Sequence, residues 1–277
     1  GPRGGDPGGE RGGRESGIDG LNADDPGARL LGAALAPVAP AELLLVHCGE
    51  LPGVAPGAVR LILDVRERAG SVHRCVPEGL GVEPLCPEAG FAAAAVWPRA
   101  HLGLDFTAFC LARGAAALRE GGSLWCAVRK RKGGERIAEA MRALLGDVAV
   151  RGRERGYRLL ESVRRGSCFD AERARAWLER RYEIRDPLLG GLVLESAPGV
   201  FSRTALDAGT AALLRFAGER APALGSVARV IDLCAGVGPL GLWAAARWPA
   251  AQVLAVEGCH RAAALLARNA ERAGLAA

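Results

Sequence analysis

One stretch restricts the fold of this chain more than any other: VARVIDLCAGVGPLGLWAAARW, residues 227–248. A strand-like apolar run passes into a helix-like apolar run through Asp232, Gly236, Gly238 and Gly241. Glycines at such a junction let the backbone approach a ligand and aim the first amides of the helix at it. The chain therefore needs a buried strand feeding a helix, the opening of an α/β sheet with a site at the strand's carboxyl end.

Taken alone, the spacing of Gly236, Gly238 and Gly241 satisfies the G-x-G-x-x-G string of dinucleotide folds, and equally a bare turn beside a solvated Glu257. Two acids decide for a different ligand. Asp232 ends its strand four residues before Gly236, where a carboxylate repels a pyrophosphate but receives an amino group. Glu257 closes the next strand, 21 residues after Gly236, where it can accept from both hydroxyls of a ribose. An acid for an ammonium and an acid for a ribose, with no phosphate to neutralise, suit S-adenosylmethionine.

The rest of the chain supplies the setting. Residues 1–40 are rich in Gly, Pro and charge and are expected to be a disordered tail. From residue 41 short apolar runs alternate with helical stretches: ELLLVHC, VRLILDV, FAAAAVW, GSLWCAVRK and YRLLESVRR read as strands, and DFTAFCLARGAAALREGG and GGERIAEAMRALLGD as helices. That alternation implies a parallel or mixed sheet with helices on its faces. The arginine-rich FDAERARAWLERRYEIRDPLL, followed by Gly190 and Gly191, reads as a helical linker over 167–191. A second α/β unit then repeats the layout of the first.

Net charge is +5, and the bases are nearly all arginine, with Lys130 and Lys132 the only lysines. That bias fits either GC-rich coding or a phosphate-binding surface. Eight scattered cysteines show no CxxC pair or zinc-ligand spacing, so no metal is expected. Without a signal-type centre or an apolar run of about 20 residues, the expectation is a cytoplasmic protein away from membranes. His47, His73, His101 and His260 lie apart and suggest no second active site. Trp177 reads either as core or as an RNA contact beside its arginines.

VIDLCAGVG followed by VLAVEGCHRAAALLARNAERAGL resembles the first two motifs of class I methyltransferases, including an Asn at position 269. More specifically, APGVFSRTALDAGTAALL, residues 197–214, is similar to the element before the cofactor loop in two-domain ribosomal RNA guanine-N2 methyltransferases of the small-subunit (16S) type and their large-subunit relatives. The resemblance implies tandem Rossmann-like domains: a degenerate one over 41–166, and the front half of a cofactor-binding one over 192–277. By matched position it implicates Phe201, Ser202, Asp207, Gly209 and Thr210 in the cofactor pocket, beside Asp232, Gly236, Gly238 and Glu257.

Departures from the family are plain. In the first unit VHCGELPGVAPG replaces the glycine turn, and VWPRAH stands where an active copy carries its Asn-Pro-Pro-Phe loop. Such a domain is implied to hold RNA, and RKRKGGER, with Arg129, Lys130, Arg131, Lys132 and Arg136, reads either as a phosphate contact or as a solvated loop. Asn-Pro-Pro occurs nowhere in the 277 residues, so no catalytic residue is assigned and the second unit is expected to be truncated. The implied activity is methylation of a guanine N2 in 16S rRNA, with ribosomal RNA or the small subunit as partner. A large-subunit guanine, a protein glutamine or an adenine as acceptor, or a non-catalytic RNA-binding fragment, remain alternatives.

Overall fold

A computed structural model of the chain describes residues 24–80, 90–131 and 133–275. Among these residues four helices, α1 (Pro26–Leu35), α2 (Leu104–Ala117), α3 (Gly134–Leu145) and α4 (Ala171–Leu178), pack around one sheet. Its seven strands are β1 (Leu43–Val46), β2 (Val59–Ile62), β3 (Arg74–Pro77), β4 (Phe91–Val96), β5 (Leu118–Arg129), β6 (Ala149–Glu154) and β7 (Tyr157–Val163). The order is β3-β2-β1-β4-β5-β7-β6, parallel from β3 to β5, with β7 antiparallel to both neighbours. The order turns back between β1 and β4, the point where doubly wound sheets receive ligands. β1 and β2 are buried along their length because helices cover both faces, which is why their sequences run apolar without alternation.

Helix α1 corrects the extent of the expected tail. Residues 1–23 lie outside the described residues, but Pro26–Leu35 is helical. Asp25 caps it, accepting from the Gly27 and Ala28 amides, and Pro26 sits in the first turn. Ala28, Leu31 and Leu35 are fully buried against the sheet, each leucine contributing about 1.5–3 kcal/mol. The glycine that suggested disorder serves close packing instead: a Cβ on Gly32 would lie 2.0 Å from the Pro52 carbonyl oxygen.

The expected helical linker is also corrected. Helix α4 buries Ala174 in the first core, with Trp177 packed half-buried beside it. After it, β8 (Tyr182–Arg185) pairs antiparallel with β9 (Val193–Ser196) and so belongs to the second unit. That unit continues with α5 (Ala208–Leu224), β10 (Arg229–Leu233), α6 (Pro239–Arg247), β11 (Gln252–Val256) and α7 (His260–Arg272). β10 and β11 pair in parallel, setting Ile231 opposite Leu254 and Leu233 opposite Val256 on one face. These four side chains are 65%, 56%, 70% and 45% exposed, so among the described residues nothing covers that face. Among them, too, no helix is long and apolar enough to cross a membrane.

Candidate cofactor site

After β10 the chain turns through three left-handed residues, Cys234 (φ 59°), Gly236 (φ 57°) and Gly238 (φ 96°). At φ 96° any side chain on Gly238 is strained, and a Cβ there would also press on Leu242, 2.9 Å from its Cδ1, and lie 3.3 Å from Leu266 Cγ. The Ala235 amide donates to the Val256 carbonyl at 3.0 Å, which keeps the turn in register with β11. Asp232, only 7% exposed, accepts from the Gly241 amide through Oδ2 at 2.8 Å. Burial raises its carboxyl above the ordinary aspartate value, the Gly241 amide opposing and Glu257 adding to the rise.

Glu257 folds back over the turn. Its Oε2 accepts from the Gly236 amide at 2.6 Å and its Oε1 from the Cys259 amide at 2.7 Å. The carboxylate thus sits among backbone amides of the kind that cradle a phosphate in a nucleotide loop. The protein fills its own anion position and leaves two carboxylates, Asp232 and Glu257, flanking the turn.

The preceding segment has a different local logic. Asp207 caps α5, accepting from the amides of Gly209 (3.0 Å) and Thr210 (3.1 Å) and from Thr210 Oγ1 (2.5 Å). The Thr210 hydroxyl bond leads the causes that hold the Asp207 carboxyl below its ordinary value. Asp207, Gly209 and Thr210 are therefore accounted for locally as a helix start. Ser202 is left-handed (φ 51°), and the Phe201 side chain is 79% exposed. Val200, Leu206 and Leu214 share an apolar cluster with Val237 and Leu242, so both segments rest on one base.

Two residues outside the sequence-based set hold the site. Asn269, buried in α7, donates from Nδ2 to the carbonyls of Glu195 and Val237, each at 3.0 Å, and accepts from the Glu195 amide at 2.7 Å. It ties α7 to β9 and to the glycine turn in one step. The sequence marks Asn269 only as part of the resemblance to the second methyltransferase motif, which names no partner for it. Arg261 is fully buried despite its charge, a fact with no signature in the sequence.

The corresponding position of the first unit is filled. His47 follows β1 in a left-handed conformation, Glu67 follows β2, Glu78 follows β3 and Arg99 follows β4. They pair there: His47 with Glu78 at 3.7 Å, Arg113 of α2 with Glu78 at 3.4 Å, and Arg99 with Glu67 at 3.1 Å. Two buried arginine–glutamate pairs, with His47 beside them and its imidazole pKa lowered by burial, thus occupy the carboxyl edge that a doubly wound sheet otherwise opens to a ligand.

The family model described as methyltransferase small domain matches residues 191–277. Chromohalobacter salexigens ribosomal RNA small subunit methyltransferase C is 35% identical over 164 residues, 58% of this chain and 44% of that protein. The chain thus spans less than half the length of that curated relative. The structure of the T. thermophilus 16S rRNA N2 G1207 methyltransferase, in complex with AdoMet and guanosine, superposes with a TM-score of 0.72 at 28% identity. That match covers 91% of this chain and 67% of the other. The expected fold class is borne out: the chain has the class I methyltransferase, Rossmann-like fold in a two-domain arrangement. Among the described residues no group of three or more His, Cys, Asp or Glu is placed to hold a metal ion.

Proposed function

We propose that this chain is the RNA-holding and cofactor-binding part of an S-adenosylmethionine-dependent methyltransferase acting on the exocyclic N2 of a guanine in 16S rRNA. The observation that carries the reading is the pair of carboxylates, Asp232 and Glu257, flanking the glycine turn, with the Gly236 amide already accepted by Glu257 and the Gly241 amide by Asp232. The residues fit the cofactor. Asp232 Oδ1 has no hydrogen bond among the described residues and can receive an ammonium, and each Glu257 oxygen accepts one N–H, leaving lone pairs for ribose hydroxyls. Nothing lies within 4 Å of where a Cβ on Gly236 would be, so the turn is open on that side.

In this reading Asp232 holds the amino group, Glu257 the ribose, and Gly236 and Gly238 let the backbone come close. Phe201, Ser202, Asp207, Gly209 and Thr210 belong to the pocket by their position in the family's element. Bound S-adenosylmethionine supplies a methyl group already activated on its sulfonium. The protein's contribution is placement and fixed charge. Both relatives are small-subunit ribosomal RNA methyltransferases, which supports 16S rRNA or the assembled small subunit as partner, and with it a cytoplasmic location. Because the sequence contains no Asn-Pro-Pro-Phe loop, binding rather than turnover is the property to measure. Calorimetric titration is expected to give micromolar affinity for S-adenosylmethionine; no heat from a chain that melts cooperatively would overturn the assignment.

The raised Asp232 carboxyl gives that affinity a pH signature. Its folded pKa lies above the unfolded one, so the fold favours the protonated acid, while an ammonium ligand favours the ionised one. Affinity is expected to be level near neutral pH and to fall about tenfold per unit once pH drops below the raised Asp232 value. The decline begins at a higher pH than an ordinary aspartate would give. Asp232→Asn should bind weakly with no such decline; an unchanged profile in that variant would assign the titration to another group.

The basic stretch after β5 gains partners through the fold. Lys130 and Arg131 are exposed there, and the β6–β7 turn brings Arg153 and Arg155 beside them, the Lys130 amide donating to the Gly156 carbonyl at 3.3 Å. Lys130, Arg153, Arg155, Tyr157 and Arg158 line one groove. Lys132 lies outside the described residues. Arg129 is paired to Asp25 at 3.7 Å and covers the Tyr157 ring, so it contributes less free charge. Alanine at Lys130, Arg153 and Arg155 together should lower the slope of log affinity for 16S rRNA against log salt by about 2–3. Filter binding across salt concentrations reads this, and an unchanged slope would remove the groove from the RNA surface.

A further inference from the structure

We infer that the first unit is a positioning platform for the cofactor-binding segments of the second, and that Arg261 is the residue joining them. The inference rests on the cofactor site proposed above. Three seams carry it.

The first seam lies directly behind Glu257. Residues 63–65, at the end of β2, form an antiparallel bridge with residues 258–260. The Val65 amide donates to the Gly258 carbonyl at 3.0 Å, and the His260 amide to the Leu63 carbonyl at 2.8 Å. The backbone that aims the Glu257 carboxylate is thus hydrogen-bonded to the other unit. Along the second seam, residues 197–203 rest on the start of α2. Gly199 sits so close to Phe106 that a Cβ would lie 2.4 Å from its ring, and Arg203 pairs with Asp105 at 3.0 Å and donates to the Leu102 carbonyl at 3.1 Å. Phe201 and Ser202 lie between these two anchors.

Arg261 is the third seam and links the other two. From the first turn of α7, its Nε donates to the Pro198 carbonyl at 2.7 Å and its Nη1 to the Gly79 carbonyl at 2.8 Å. The guanidinium lies 4.0 Å over the Phe109 ring. Burial pulls its pKa down to about 10, with Glu78 opposing, so it stays charged at neutral pH. Burial in turn raises the Glu78 carboxyl, but His47, Arg113 and Arg261 together hold it below its ordinary value. A helix seeking only apolar packing would not bury a guanidinium in its first turn, since the charge is costly unless its bonds are met. Here Nε and Nη1 are met by one carbonyl from each unit and Glu78 favours the charge, while Nη2 is buried with no hydrogen-bond partner among the described residues.

The platform is a structural claim about the cofactor-free protein, so hydrogen exchange tests it without ligand. In Arg261→Gln the amides of Gly236 and Cys259, accepted by Glu257, and of His260, accepted by Leu63, should exchange about tenfold faster, while amides of β4 and β5 keep their rates. Arg261→Lys, which retains the charge and one donor direction, should recover part of the protection. Unchanged protection at Gly236 and Cys259 in Arg261→Gln would overturn the inference. So would uniform acceleration throughout the chain in both variants, the mark of a generally destabilising change.

A double-mutant cycle carries the claim to the ligand. Arg261→Gln should weaken S-adenosylmethionine binding about tenfold in the parent chain and clearly less in Glu257→Ala, because part of its effect passes through that carboxylate and part through the Pro198 segment. Equal losses in both backgrounds would refute a positioning role. Should the parent chain bind no S-adenosylmethionine, the cofactor reading falls, and the exchange rates still decide the platform.

Discussion

Replacing Glu257 by alanine is expected to weaken S-adenosylmethionine binding about a hundredfold, which corresponds to about 2.7 kcal/mol. Two losses add. The ribose loses a charged acceptor, where each hydrogen bond to an ionised group is worth about 1.5–3 kcal/mol. The turn also loses its own brace, because the carboxylate accepts from Gly236 on one side and Cys259 on the other. Glu257→Gln separates the two: one amide oxygen can still receive the Gly236 or the Cys259 amide, but not both, and the charge is gone. Its affinity should lie between parent and alanine. The half-buried position lets water reach the released amides, so the melting temperature should move by only a few degrees. Calorimetry with the two variants reads all of this, and parental affinity in Glu257→Ala would remove the ribose assignment.

How far the sequence shows this arrangement depends on the range of each interaction. The strand, turn and helix through Asp232, Gly236 and Gly238 are legible because they are local: apolar periods and glycine spacing name each element within about twenty residues. The mutual geometry of Asp232 and Glu257 follows from two adjacent parallel strands ending side by side. Helix α1 was obscured because Gly32, a signal of disorder by composition, marks close approach to Pro52. β8 was obscured because YEIR is short and half-exposed, and it is a strand only through pairing with β9. Arg261 has no local signal at all, as its Gly79 partner lies 182 positions away in another unit. Ile231, Leu233, Leu254 and Val256 mark the opposite limit, since their apolar pattern is that of buried strands although the side chains are open to solvent.

Asn269→Ala is expected to be the most destabilising single substitution in the second unit. The side chain meets three buried backbone groups: the Glu195 amide, the Glu195 carbonyl and the Val237 carbonyl. Alanine removes the partner of each, and a buried polar group left unsatisfied costs about 1–3 kcal/mol. The sum is about 3 kcal/mol or more, or roughly 10 °C in melting temperature for a chain of this size. Asn269→Asp should be no milder, because it keeps the acceptor for the Glu195 amide but turns an oxygen toward two carbonyls that need a donor. Glu271→Ala, on the exposed side of the same helix, should stay within about 0.5 kcal/mol and controls for helix propensity. The loss is not confined to stability. Val237 lies between Gly236 and Gly238, so freeing its carbonyl loosens the turn that carries both, and cofactor affinity should fall with the fold. Melting followed by circular dichroism checks the first part: a shift below about 3 °C in Asn269→Ala would mean that water or a neighbour satisfies these groups. The turn would then be held by Glu257, the Asp232–Gly241 bond and the Ala235–Val256 bond without help from Asn269.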